Sequence, residues 1–191
     1  MRIISGTARG RKLQVPLVGT RPTSDRLKEA MFSTINSHLT KREVEWTQVN
    51  FIDLFAGSGA VGLEAKSRGA RQVVLVEDDA KARAIIENNS SRSGLEVRIA
   101  SADAYSWVPS FEVNILFLDP PYAHSDAQVQ QYLVKICETK ELLGALLICE
   151  RGARSVSPFA LISPKVMPLA WERTYGDSKL WYGQVDSDPN T

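Results

Sequence analysis

Sulfur and imidazole are scarce in this chain: its 191 residues include two cysteines, Cys137 and Cys149, and two histidines. So few ligands, at no metal-binding spacing, predict neither a metal centre nor a disulfide framework. Both cysteines fall in segments that read as a helix and a buried strand, so reduced core thiols are expected. Long apolar runs are missing too. No stretch approaches the roughly 20 apolar residues that span a bilayer, and residues 1–6 lack the apolar region of a secretory signal. A soluble, cytoplasmic protein is expected. Internal repeats and low-complexity tracts are also absent. What is present, 43% hydrophobic and 24% charged residues, suits one large globular domain, or one domain with a small appendage.

The net charge of +1 conceals an asymmetry. Residues 1–42 hold nine Lys or Arg against Asp25 and Glu29, a balance of +7, which leaves 14 basic against 20 acidic residues, or −6, for the remainder. Such a split suggests an N-terminal segment that faces a polyanion, or else a solvated charged face.

From position 51 onward, apolar runs alternate with helix-like stretches. Strands are predicted over 51–55, 72–76, 95–99, 114–118 and 145–150, with helices over 60–67, 79–89 and 125–138 and a short turn over 103–107. Near-continuous aliphatic strands spaced by helices predict a doubly wound α/β fold with a mostly parallel sheet. Two further runs, 169–175 and 179–185, meet at Gly176-Asp177 and predict a terminal antiparallel hairpin. The first 45 residues differ. Limbs 2–7 and 12–15 predict a small basic hairpin, followed by a helix capped by Thr23 or Ser24 and carrying Leu27, Ala30, Met31, Ile35 and Leu39 at helical spacing. The expected organisation is a basic appendage over 1–45, a catalytic domain over 46–186 and a frayed tail over 187–191.

Two motifs carry chemistry. The tetrapeptide Asp119-Pro120-Pro121-Tyr122 follows a buried strand and suits methylation of an amino nitrogen. An exocyclic base nitrogen is a poor nucleophile because its lone pair is delocalised, and acceptors that favour a pyramidal nitrogen assist it. Asp119 supplies a carboxylate, the two prolines restrict the direction of the Pro120 carbonyl, and Tyr122 offers a flat face to a base. The second motif is Asp53-Leu54-Phe55-Ala56-Gly57-Ser58-Gly59-Ala60-Val61-Gly62, a strand, a glycine turn and a helix start. Its glycines match the dinucleotide fingerprint, and Glu77 lies 20 residues after Gly57, so a nicotinamide-dependent oxidoreductase is a rival reading. Asp53 separates the two. A carboxylate in that strand repels a diphosphate but attracts the ammonium and sulfonium of S-adenosylmethionine, with Glu77 accepting from the ribose hydroxyls. Asp103 is placed either to reach the adenine or to cap a short helix. Asp53, Glu77, Asp103 and Asp119 thus mark the ends of four successive strands, where ligands of open α/β sheets bind.

With those residues, and with Met1-Arg2-Ile3-Ile4-Ser5-Gly6, Ala8-Arg9-Gly10-Arg11-Lys12-Leu13 and Thr20-Arg21-Pro22-Thr23-Ser24-Asp25-Arg26-Leu27-Lys28-Glu29-Ala30-Met31-Phe32, the chain resembles class I, Rossmann-like S-adenosylmethionine-dependent methyltransferases. Within them it resembles the RsmD family, which methylates a guanine N2 amino group of bacterial 16S ribosomal RNA. The resemblance implies a seven-stranded sheet of order 3-2-1-4-5-7-6 with strand seven antiparallel. It also implies Asp53, Phe55, Gly57 and Gly59 at the methionine end of the cofactor, Glu77 and Asp78 at the ribose, and Asp103 and Ala104 at the adenine. Asp119 would adjoin cofactor and base, with Pro120 and Tyr122 at the base. Arg9, Arg11, Lys12, Arg21 and Arg26 would contact RNA phosphates, unless the stretch from Arg21 to Arg26 folds over the cofactor as a lid. The implied partner is 16S ribosomal RNA in the small subunit or an assembly intermediate, with no metal and no membrane, and a monomeric enzyme is expected. Alternatives are methylation of adenine N6 in DNA or of a protein amide, and a catalytically silent RNA-binding module.

Overall fold

The chain divides into two compact units, Met1–Ala104 and Tyr105–Thr191. Its computed structural model describes residues 1–15 and 24–188. Arg21 and the expected tail beyond residue 188 lie outside the described residues.

In the first unit, three parallel strands, β1 (Asn50–Leu54), β2 (Gln72–Val76) and β3 (Arg98–Ala100), are joined through helices α2 (Ala60–Ser67) and α3 (Ala80–Ser93). Four of the five residues in each of β1 and β2 are buried, as expected of strands covered on both faces. Helix α3 begins at Asp79, whose side chain accepts the Ala82 N–H at 2.8 Å, and ends at Gly94 in the left-handed conformation. β3 starts three residues later than its aliphatic run. Leu95 leaves the sheet to pack with Ile3, Ala8, Leu13, Ala60 and Leu63.

The basic N-terminal segment is built onto α2. Its limbs meet at one antiparallel bridge, Arg2 with Lys12, flanked by hydrogen bonds between Ile3 and Arg11 and between Leu13 and Met1. The longer ladder suggested by the sequence does not form, because the donors between the limbs are used on α2. Ile4 and Ser5 N–H donate to the Glu64 carboxylate at 2.7 and 3.0 Å, Thr7 N–H to the Ser67 carbonyl, and Ala8 N–H to Ser67 Oγ. Helix α1 (Asp25–Lys41), capped by Ser24, completes the anchor. Its Lys28 is fully buried, donates to the Arg2 carbonyl at 2.6 Å and lies 3.7 Å from Glu64. Burial lowers the Lys28 pKa against the pull of Glu64. One of the nine basic residues counted in the sequence is therefore not at the surface.

Gly6 makes the close approach of this segment to α2 possible. Its φ is +82°, and a Cβ there would lie 1.7 Å from the Ser67 carbonyl oxygen. Gly6→Ala is expected to cost about 2–4 kcal/mol, from overpacking and a left-handed alanine together. Urea denaturation checks this, and an unchanged midpoint would mean that the segment contributes nothing to the fold.

In the second unit, β4 (Ile115–Leu118) pairs in parallel with β5 (Leu146–Gly152), linked by helix α4 (Asp126–Cys137). β6 (Leu169–Tyr175) and β7 (Ser178–Gln184) form the expected hairpin about Gly176, whose φ is +59°, and β7 returns antiparallel to β5. Cys137 and Cys149 are buried free thiols, and burial pushes the Cys137 thiol up to about 12 and Cys149 higher still. The sheet order is β3-β2-β1-β4-β5-β7-β6. No helix among the described residues is long and apolar enough to cross a membrane.

Candidate active site

The glycine turn of the first unit is held by two carboxylates. Asp53, near the end of β1, is 2% exposed and accepts the Gly62 N–H at 2.9 Å. Gly62 is closely packed here, since a Cβ there would sit 2.1 Å from Leu75 Cδ2 and 3.4 Å from Asp53 Cβ. Glu77, just beyond β2, accepts the Gly57 N–H at 2.7 Å through Oε2 and the Asp79 N–H at 3.0 Å through Oε1. Each oxygen keeps lone-pair capacity for a hydroxyl donor.

Burial pushes the Asp53 carboxyl from 3.8 up to about 7, against the Gly62 hydrogen bond and with the help of nearby Glu77. Burial also raises Glu77, against the Asp79 and Gly57 N–H groups. Two carboxylates so placed create a negative site that a cation would relieve.

The turn itself is strained. Phe55 has φ of +62°, a costly conformation for a bulky residue, and Gly57 and Gly59 are also left-handed. Hydrogen bonds from Ala56 to the Val76 carbonyl and from Gly57 to Glu77 hold it there. Asp78 is exposed, and Arg83 ties down the Glu77 and Asp78 carbonyls. Asp103 is exposed and Ala104 buried; residues 104–106 form a turn, so Asp103 has no helix to cap.

Asn89 was not singled out by sequence reasoning. Buried on α3, it accepts the Gln14 N–H at 2.8 Å and donates to the Gln14 and Ser58 carbonyls, each at 2.9 Å. The basic segment and the glycine turn therefore share one buried amide. Arg9, Arg11, Lys12 and Arg26 are at least partly exposed in this same unit.

In the second unit, Asp119 is half-buried directly after β4, Pro120 is buried, and Tyr122 is 63% exposed. Arg151, at the end of β5, is the residue that the sequence reading missed here. Its guanidinium donates to the carbonyls of His124 at 2.7 Å, Pro120 at 3.3 Å and Pro121 at 3.5 Å, and to Asp126 Oδ1 at 3.0 Å. No local pattern signals it, because its partners lie 25 to 31 residues away.

The strand order, with its reversed seventh strand and acidic strand ends, defines a class I methyltransferase fold. A family described as "Conserved hypothetical protein 95" matches residues 1–184, and the Haemophilus influenzae "Ribosomal RNA small subunit methyltransferase D" is 33% identical over 186 residues, 92% of this chain and 89% of that protein. The chain belongs to the RsmD family. The Escherichia coli protein of the same description is 38% identical over 126 residues, a match that spans 64% of this chain and 60% of that relative's length. Among solved structures, a hypothetical protein of Thermus thermophilus superposes with a TM-score of 0.79 at 30% identity, covering 97% of this chain and 99% of its own.

Proposed function

We propose that this protein transfers a methyl group from S-adenosylmethionine to the N2 amino group of a guanine in small-subunit ribosomal RNA. The observation that carries the choice of cofactor is the occupation of the glycine turn by Asp53 and Glu77. Their carboxylates already take the Gly62 and Gly57 N–H groups, amides that a dinucleotide's diphosphate would need, and they place negative charge where it would sit. The same charge suits a ligand carrying an ammonium and a sulfonium. A thermal-shift measurement separates the readings: S-adenosylhomocysteine stabilises the protein and NAD does not, whereas stabilisation by NAD alone would establish the oxidoreductase.

When bound, S-adenosylmethionine supplies a sulfonium-activated methyl carbon that passes to the amino nitrogen as the carbon–sulfur bond breaks. The residues of the chain bind and align. Glu77 and Asp78 serve the ribose, Asp103 and Ala104 the adenine, and Phe55, Gly57 and Gly59 the methionine end. Asp53 acts mainly by fixing the turn and its field. Asp119 accepts an amino proton of the base and favours a pyramidal nitrogen, and Tyr122 stacks on the ring. The Pro120 carbonyl, already facing Arg151, keeps a second lone pair for the amino group. The target base must leave its stack, so an unpaired or flipped guanine is the substrate form. Family membership supports ribosomal RNA over DNA or protein, and the cations at Arg9, Arg11, Lys12 and Arg26 supply phosphate contacts.

The titration of Asp53 gives a further prediction. Its ionised form attracts the cofactor, so affinity for S-adenosylmethionine rises with pH up to about 7, by at most about tenfold per unit, and then levels off. The ligand-free fold shows the opposite sign. A carboxyl raised from 3.8 to about 7 withdraws stability as pH climbs across that interval. Asp53→Asn removes both slopes. Calorimetric titration across pH 6 to 8, about one unit on either side of that pKa, checks the first; an Asn variant that kept the full dependence would place it on another group.

A further inference from the structure

We propose that Arg151 is the positioning residue of the 119–122 loop, orienting the segment that carries Asp119 and Tyr122. The inference rests on the methyl-transfer reading for its catalytic consequence, but its structural content stands alone. The loop between β4 and α4 has little regular pairing. Its carbonyls at Pro120 and His124 converge on a single guanidinium, whose side chain is 5% exposed and whose counter-charge is Asp126 in the first turn of α4. A planar fork of donors can bind two carbonyls and a carboxylate together; an ammonium cannot reproduce that geometry.

Burying a guanidinium is costly even beside a carboxylate, and Asp126 is itself 32% exposed, so stability alone is a poor account of this arrangement. Geometry is a better one. The next residue, Gly152, neighbours the Tyr122 side chain: a Cβ there would come within 3.6 Å of Cε1. The end of β5 therefore serves both parts of the loop: Arg151 binds its carbonyls, and Gly152 leaves room beside its aromatic ring. Pro120 and Pro121 restrict the local chain, and Arg151 sets where that stiff piece points.

The test compares wild type, Arg151→Ala and Arg151→Lys. Arg151→Ala is expected to lower kcat at least tenfold while the S-adenosylhomocysteine Kd stays within twofold, and millimolar guanidinium is expected to restore part of the rate. Arg151→Lys, which keeps the charge, recovers only a minor share. By NMR hydrogen exchange, the His124 amide, bonded to the Pro121 carbonyl at 2.9 Å, exchanges at least tenfold faster in Arg151→Ala, with Gly62 unchanged. Unchanged His124 exchange overturns the proposal, as does a fall in kcat matched by an equal loss of S-adenosylhomocysteine affinity. If Arg151→Ala does not fold, the kcat and His124 exchange of Arg151→Lys decide by the same criteria. If wild type transfers no methyl group, the functional reading fails, and His124 exchange alone still judges the positioning role.

Discussion

Asp119→Ala is expected to lower kcat for methyl transfer by about 10²- to 10³-fold, the scale on which a preorganised hydrogen-bonding partner of a reacting group contributes. Asp119 stands directly after β4, a strand whose four residues are all buried, so the chain leading into it is anchored in the sheet. On the proposed reading the amino nitrogen gains positive charge as it attacks, and a carboxylate beside it would stabilise the transition state more than the ground state. Asn at this position still offers a carbonyl oxygen without the charge, so Asp119→Asn should fall between wild type and alanine. Tyr122→Ala, which removes an exposed ring, is expected to depress turnover with the S-adenosylhomocysteine Kd nearly unchanged. Single-turnover kinetics paired with calorimetry reads both effects. Loss of cofactor affinity in step with the loss of rate would move these residues out of the base site.

The second large effect concerns the basic segment. Replacing Arg9, Arg11 and Lys12 together by Ala is expected to weaken RNA binding on the order of 100-fold near 0.1 M salt, and to reduce the slope of log affinity against log salt by about 2. All three are exposed, while the segment's anchor lies elsewhere, in the apolar cluster of Ile3, Ala8 and Leu13 and in the amides bonded to Glu64 and Ser67. The triple variant should therefore keep its fold and its cofactor affinity. Binding measured at several salt concentrations decides the matter: an unchanged slope would remove this segment from the RNA interface.

Where local pattern and tertiary demand agree, the sequence could be read closely. The helix over 60–67, the strands over 72–76 and 169–175, and the hairpin turn at Gly176-Asp177 all lie where hydrophobic period and glycine punctuation put them. Reading failed where distant partners compete for the same groups. Leu95 looked like the start of a strand, yet the N-terminal cluster captures it; residues 2–7 looked like a hairpin limb, yet the amides of Ile4, Ser5 and Thr7 serve α2. The acids of the candidate site were legible from their strand-end positions. Their mode of action was not, because only the folded chain shows Asp53 sealed against Gly62 and Glu77 clasping Gly57. Arg151 and Asn89 were invisible for the same reason, since an arginine after a strand and an asparagine within a helix carry no signal until their carbonyl partners arrive from elsewhere.

The most direct test is transfer from methyl-labelled S-adenosylmethionine to small ribosomal subunits from cells lacking the corresponding enzyme, followed by nucleoside mass spectrometry of the RNA. The label is expected in N2-methylguanosine, at one nucleotide, with an initial rate for Asp119→Ala about 10²- to 10³-fold below that of wild type. Label in a methylated adenosine, or none in RNA while a DNA or protein acceptor is labelled, would contradict the account.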